Sequence, residues 1–244
     1  MRVLSAAELL EVWEQGLSQS ADQRALMLLA AACPETPPEQ LLELSIGQRD
    51  ARLLTLREWM MGPQLVSLAT CPSCGDRLEL NFAIADIRIA PKVEPATVLS
   101  LQVANYDIQF RLPNSEDLNM IAGHGDLNTA NHHLLNRCIL CVQHQGEVQP
   151  SDQLPDSVIQ EILHQMAQAD PQADIQLALS CPACRHDWQA TFDIVSFFWT
   201  EIHAWACRIL REVHTLASVY GWRESDILAM SPQRRQIYLE LIHR

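Results

Sequence analysis

The chain has 244 residues, 48% of them hydrophobic, and carries 30 acidic against 17 basic side chains for a formal net charge of −13. That length and apolar content support a substantial core, in one large domain or two small ones. The absence of any apolar run of about eighteen residues excludes a membrane-spanning helix. The acidic balance argues against a general nucleic-acid binder, because phosphate backbones attract basic surfaces.

The first 62 residues read as helical. Met1-Arg2-Val3-Leu4-Ser5 runs straight into an amphipathic pattern holding Glu8, Glu11 and Glu14. It lacks the basic start and apolar stretch of a secretory leader, so the reading is a protein made and folded in a cytoplasm. Ser5 is placed to cap a helix reaching about Leu17, with Leu9, Leu10 and Trp13 on one side. A second helix fits Asp22 to Ala32. Pro37-Pro38 opens a short third, and a fourth runs from about Gln48 to Met61 until Gly62-Pro63 stops it.

A strand is expected over about Gln64 to Thr70, and another around Leu78 to Phe82. Residues 85–96, with Pro91 and Pro95, read as a linker. A hairpin follows, with Leu99, Leu101 and Val103 in one arm, Ile108, Phe110 and Leu112 in the other, and Ala104-Asn105-Tyr106-Asp107 as the turn. Pro113-Asn114-Ser115 caps a short helix that Gly123-His124-Gly125 breaks. Longer helices are expected over roughly Leu127 to Gln143 and Asp156 to Ala169, the second ended by Asp170-Pro171. Ile175, Leu177 and Leu179 alternate as a strand. The stripe Val195, Phe198, Ile202, Ala206, Ile209, Val213, Leu216 and Tyr220 predicts a helix of roughly 26 residues, ended by Gly221. A short helix is expected over Glu224 to Met230. Ser231-Pro232 then opens a closing one.

Two short segments are versions of each other. Leu68-Ala69-Thr70-Cys71-Pro72-Ser73-Cys74-Gly75 and Leu179-Ser180-Cys181-Pro182-Ala183-Cys184-Arg185 each carry a Cys-Pro-x-Cys knuckle followed by strand alternation. Cys71, Cys74, Cys181 and Cys184 supply the four thiolates that one tetrahedral zinc ion takes, and such a closed site is structural, with no open position for catalysis. The alternative use of this spacing is a redox pair, but that motif places its first cysteine at a helix N-terminus. Two separate metal sites would each need distant partners; His186 lies near the second knuckle only.

The other chemistry-bearing residues have plainer readings. Cys138-Ile139-Leu140-Cys141, with His144, could hold a second metal. It sits in an apolar run without the Pro or Gly of a knuckle and reads as core helix. Cys33 and Cys207 read as core. His203 and His214 share a helix with Glu201 and Glu212, a pattern of ordinary helix faces. No phosphate-cradling Gly loop, Gly-x-Ser-x-Gly or His-Glu-x-x-His is present. Arg208, Arg211, Arg223, Arg234 and Arg235 make the C-terminal region locally basic: either surface charge balance or a patch for an acidic partner.

Further segments carry a family likeness. Ser180 to Gln189 runs into Phe192-Asp193-Ile194 and Phe198-Trp199-Thr200-Glu201-Ile202. Arg211 to Ala217, Tyr220-Gly221-Trp222, Asp226-Ile227-Leu228 and Ser231-Pro232-Gln233-Arg234-Arg235 follow, the most specific block. Leu112-Pro113-Asn114-Ser115-Glu116-Asp117-Leu118 and Gly47-Gln48-Arg49-Asp50-Ala51-Arg52-Leu53 add to it. Beyond about residue 40 the chain resembles baseplate-associated proteins of phage-like contractile injection systems, related to the T-even-type phage baseplate family.

The resemblance implies a non-enzymatic structural or assembly protein at the baseplate or hub of a phage tail-like particle. It would be either a lasting virion component or a chaperone that leaves. Its partners would be other baseplate, hub or spike proteins, with no small-molecule substrate, and it would be cytoplasmic, on or transiently bound to the particle. Of the chain's residues, only Cys71, Cys74, Cys181 and Cys184 are carried over as functional. The alternative is a zinc-ribbon regulator that binds nucleic acid, for which Arg77 and Arg185 are present but Asp76 and Asp187 stand beside them.

The expected architecture is α+β, with helical N- and C-terminal segments around a split four-cysteine zinc ribbon that carries an inserted β-hairpin and helix unit. The divisions are 1–62 (helical), 63–94 (first ribbon half), 95–171 (insert), 172–194 (second ribbon half) and 195–244 (helical).

Overall fold

The computed structural model describes residues 1–89, 97–121 and 126–242. Its helices are α1 (Ala6–Gly16), α2 (Ala21–Ala32), α3 (Pro38–Leu42), α4 (Ile46–Met61), α5 (Ile84–Ile87), α6 (Ser115–Ile121), α7 (Leu127–Cys138), α8 (Asp156–Ala169), α9 (Ile194–Tyr220), α10 (Glu224–Leu228) and α11 (Pro232–Ile242). The strands are β1 (Gln64–Thr70), β2 (Arg77–Ala83), β3 (Leu99–Val103), β4 (Tyr106–Phe110), β5 (Ile139–His144), β6 (Glu147–Val148), β7 (Ile175–Ser180) and β8 (Asp187–Phe192). The architecture is thus mixed helix and sheet. The break at Gly123-His124-Gly125 and most of the expected linker, including Pro91 and Pro95, lie outside the described residues. The chain divides into two compact units, Met1–Thr36 with Ile194–Arg244, and Pro37–Asp193.

The first unit is helical. Ser5 and Ser20 cap α1 and α2 with reciprocal bonds to Glu8 and Gln23, satisfying amides that a helix start leaves open. Leu9, Leu10, Val12 and Trp13 of α1 and Ala25, Leu28, Leu29 and Ala32 of α2 are buried. So is the stripe Val195, Phe198, Trp199, Ile202, Ala206, Ile209, Val213 and Leu216 of α9, and the three helices pack pairwise. Close approach fixes one position, since a Cβ on Gly16 would lie 2.3 Å from the Trp199 ring. The Arg24 guanidinium stands 4.6 Å over that ring and donates to the Gly16 and Leu17 carbonyls. Helices α10 and α11 return onto the end of α9 around Ile227, with Tyr220, Trp222 and Tyr238 against them. Arg235, buried, donates to Glu212 of α9 at 3.1 Å and to the Met230 carbonyl.

The second unit holds the antiparallel sheet β3-β4-β5-β6, with α7 and α8 supplying Leu135, Cys138, Val158, Ile162 and Met166 to its core. The β3–β4 turn has two residues, Ala104 and Asn105, both at positive φ (49° and 65°), in place of the four-residue turn expected. The expected helix over Leu127 to Gln143 is corrected. It ends at Cys138, and Ile139–His144 is strand β5, paired with β4. An uninterrupted apolar run does not distinguish a buried helix from a buried strand; here the free edge of β4 takes up β5. Phe110 pairs with Ile139 and Gln109 with Cys141, which leaves Leu140 as a bulged residue, 51% exposed.

A buried polar junction ties α4 to the sheet. The Ile46 N–H donates to the Pro113 carbonyl at 3.1 Å, and the Gly47 N–H donates to the Asp170 carboxylate at 2.9 Å. A Cβ on Gly47 would fall 1.9 Å from that carboxylate, so only glycine fits. Arg49, 4% exposed, donates to Asp50 at 2.8 Å and to the Ser115 hydroxyl at 3.1 Å. Asn114 caps α6 in a reciprocal exchange with Asp117. The fully buried Asp117 carboxylate also accepts from Arg111 and Arg137, each at 2.8 Å. The segments 47–53 and 112–118, separate in sequence, are therefore two sides of one hydrogen-bonded node.

Asp117 and Asp50 respond to pH in opposite senses. Burial opposes the Asp117 charge, but Arg111, the Asn114 N–H and Arg137 outweigh it and hold the carboxyl below its ordinary 3.8. Its contribution is present above that value and is lost as pH falls. Burial pushes Asp50 up to about 6 against the pull of Arg49, with Asp193 and Asp170 adding to the rise. Its native state therefore binds the extra proton, and stability declines as pH climbs from 3.8 through about 6, by on the order of 3 kcal/mol. Asp117→Asn, which strands two guanidinium partners, is expected to cost about 3 kcal/mol in urea unfolding at neutral pH. Asp50→Asn is expected to flatten the decline between pH 4 and 6 that the wild type shows; an equal slope in both proteins would refute the assignment.

Candidate metal centre

The two knuckles are built alike. In the β1–β2 hairpin the register closes on Thr70 opposite Arg77; in β7–β8 it closes on Ser180 opposite Asp187. The Cys71 N–H donates to the Asp76 carbonyl and the Gly75 N–H returns to the Cys71 carbonyl. In the second knuckle the Cys181 N–H donates to the His186 carbonyl, and the Arg185 N–H to the Cys181 carbonyl. Both turns need a left-handed residue at their fifth position. Gly75 (φ 75°) meets this without a side-chain clash, whereas Arg185 adopts it at φ 61° with a Cβ. The likeness runs outward from the knuckles. Leu65 and Ile175, six residues before each first cysteine, are both buried. Phe82 and Phe192, eleven after it, meet edge to face at 5.6 Å.

This pairing brings residues 110 positions apart into one cluster. The Cys71 and Cys184 sulfurs lie 3.7 Å apart, those of Cys74 and Cys181 3.6 Å apart, and all four ligand atoms lie within 4.8 Å of one another. A tetrahedron of thiolates about 2.3 Å from a central ion has edges of about 3.8 Å, whereas a disulfide needs about 2.05 Å. The spacing is that of four ligands around an ion. Cys71 and Cys181 are buried and Cys74 and Cys184 exposed, so the cluster has a closed inner side and an outer side at the surface.

The electrostatics agree with a cation-binding set. Burial pushes the Cys71 thiol up, but the N–H groups of Cys74 and Ser73 and the thiols of Cys74 and Cys184 outweigh it and bring it to about 7. The Asp76 N–H favours the Cys74 thiolate, yet Cys184, Cys181, burial and Cys71 push that thiol up to about 12. One thiolate forms readily and crowding resists the next. A cation at the centre removes that like-charge penalty.

The remaining candidates do not converge in this way. Cys138 lies in the sheet core, and burial, then the Asp117 charge, push its thiol up to about 11. Cys141 is half-buried in β5, and among the described residues neither it nor Cys138 belongs to a metal-sized group of three or more. Cys33 is buried. His203 accepts from the Trp13 indole N–H at 3.2 Å, and Cys207 lies 3.8 Å from its other ring nitrogen. Glu212 is held by Arg235, and His214 is exposed. Arg77 and Arg185 flank the knuckles, both exposed. The buried junction of Gly47, Arg49, Asp117 and Asp170 was not legible as a unit. Its only sequence signal was the pair of family-like segments that contribute to it.

The model of the family described as T4 bacteriophage base plate protein matches residues 4–199. The chain belongs to that family. The match takes in α1 to β8, all four cysteines and the first turns of α9. It begins well before residue 40, in the stretch where the resemblance drawn from the sequence is weaker. It ends before Arg211 to Arg235, the stretch holding most of the block read as most specific. No curated protein and no solved structure matches the chain. Membership points to a structural baseplate protein, non-enzymatic, associated with other baseplate components. Among the described residues no helix is long and apolar enough to cross a membrane.

Replacing any one of Cys71, Cys74, Cys181 or Cys184 with Ser is expected to abolish stoichiometric metal binding. Elemental analysis of purified protein checks this, and Cys138→Ser serves as the control that leaves the metal content unchanged.

Proposed function

We propose that this protein is a non-enzymatic structural or assembly component of the baseplate or hub of a phage tail-like contractile injection particle, with one structural zinc ion held by Cys71, Cys74, Cys181 and Cys184. The observation that carries the reading is the baseplate family match, which runs through both knuckles and the junction between them. An all-thiolate donor set is soft and suits zinc, and four protein ligands leave no open position for a substrate or an activated water. The ion acts as a fastener, closing a loop of 110 positions. A crosslink across a loop that long removes on the order of 4–5 kcal/mol of unfolded-chain entropy.

Reduced thiols fit folding in a cytoplasm, before or during particle assembly. The surfaces that meet baseplate, hub or spike proteins belong to the helices and sheet that the ribbon holds in place.

Purified protein is expected to contain one zinc per chain, to lose cooperative melting with a strong chelator, and to regain it on zinc addition. Co-expression with the baseplate, hub and spike proteins encoded beside it is expected to yield a stable complex. A zinc-loaded chain that associates with none of them would defeat the assembly role while leaving the metal site standing.

A further inference from the structure

Arg208, Arg211, Arg223, Arg234 and Arg235 divide sharply in the structure. Arg235 is buried against Glu212 and the Met230 carbonyl, and Arg234 stands 5.8 Å from the Tyr238 ring centre. The Arg208 and Arg211 guanidiniums, both exposed on α9, make no hydrogen bond or ion pair among the described residues. Arg223, at the N-cap of α10, is also exposed.

The ordinary reasons for an arginine on a helix do not apply to this pair. Glu212, four residues after Arg208, is the acidic side chain between Ile202 and Arg223, and it is committed to Arg235. Residues four either side of Arg211 are Cys207 and Thr215, which offer no charge. Neither arginine lies in the last turn of α9, which ends at Tyr220, so complementing the helix dipole is not their role. At i and i+3 the two guanidiniums repel each other. In a chain of net charge −13 they form a local positive point on an exposed helix face.

Their surroundings suit close approach by another protein. The exposed side of α9 carries Thr200, Ala204, Arg208, Arg211, His214 and Ser218, with the half-buried Thr215 among them. The Thr200 and Thr215 hydroxyls donate back to the Ser196 and Arg211 carbonyls of the same helix. Apart from His214, the neighbouring side chains are short, which leaves the two guanidiniums as the charged groups that reach furthest from the face. Two planar forks about one turn apart match two carboxylates at the same spacing.

We propose that this face of α9 docks an acidic helix of another baseplate component, one that presents Asp or Glu side chains one turn apart to Arg208 and Arg211. The proposal rests on the assembly role above and names the chemistry of the partner surface. A protein carboxylate is favoured over a nucleic-acid phosphate because two arginines neutralise few phosphates and the rest of the chain repels them. The face lies beyond residue 199, outside the stretch that the family model matches.

The test uses the full zinc-loaded chain, the purified baseplate components encoded beside it, and a DNA duplex as separate probes. Wild-type protein is expected to bind one component with an affinity that falls as salt rises. Arg208→Glu with Arg211→Glu is expected to weaken that binding by on the order of a hundredfold, while Arg223→Glu, at an exposed position outside the metal-binding turns, leaves it unchanged. The neutral pair Arg208→Gln with Arg211→Gln guards against misfolding, and its melting curve should match wild type while binding still drops. Lysine substitutions at the partner's acidic positions should restore binding to the glutamate variant. If wild type and both variants bind a component equally, this inference falls and the assembly role stands. If wild type binds no component, both fall. Binding of the duplex by wild type and not by the variant would assign the face to phosphate and overturn the protein partner.

Discussion

The meeting of two Cys-Pro-x-Cys turns governs the architecture of the larger unit. Each hairpin alone is a two-stranded ribbon, marginal in water without a partner surface. The four sulfurs, with edges of 3.6 and 3.7 Å, and the edge-to-face Phe82–Phe192 contact join the two hairpins at their tips and along their strands. Everything between Ala83 and Ile175, including the four-stranded sheet with α6 to α8, becomes a closed excursion from that point. A loop of that length is costly to close in an unfolded chain, and the clustered cysteines and the Phe82–Phe192 contact meet at its root.

A second fixture works by hydrogen bonds. Asp170 and Asp117 are both buried, and each satisfies backbone amides as well as or instead of cations. Asp170 sits on the start of α4, where unpaired amides and the helix dipole favour a carboxylate. Asp117 holds the start of α6 and gathers Arg111 from the end of β4 and Arg137 from the last turn of α7. The ribbon and this junction divide the labour: sulfurs position the hairpins, while carboxylates position helices against the sheet.

Patterns that act within a few residues were legible in the sequence. Ser5 at a helix start, the alternation of Leu78 through Phe82, and the stripe on α9 each depend on neighbours no more than a turn away. The duplicated knuckle was legible for the same reason, and its duplication implied that two distant points share one site. The run around Ile139 to Val142 was misread as helix because local sequence does not record which strand edge stands ready to pair. Gly47 gave no sign of its role, since the carboxylate that excludes a side chain there comes from Asp170, 123 residues later.

By itself the sequence determined the mixed fold, the strand–knuckle–strand repeat, the identity of the four clustered cysteines and the family likeness. Those follow from short-range periodicity and from residue types whose chemistry permits few uses. Only the tertiary structure decided that α4 joins the sheet through the 47–53 and 112–118 segments. It alone showed that Cys138 faces a core beside Asp117, and that Arg235 is spent inside the fold while Arg208 and Arg211 are not. The physical reason is common to all three. Whether a polar or charged group is satisfied depends on what arrives from elsewhere in the chain, and that is set by long-range packing.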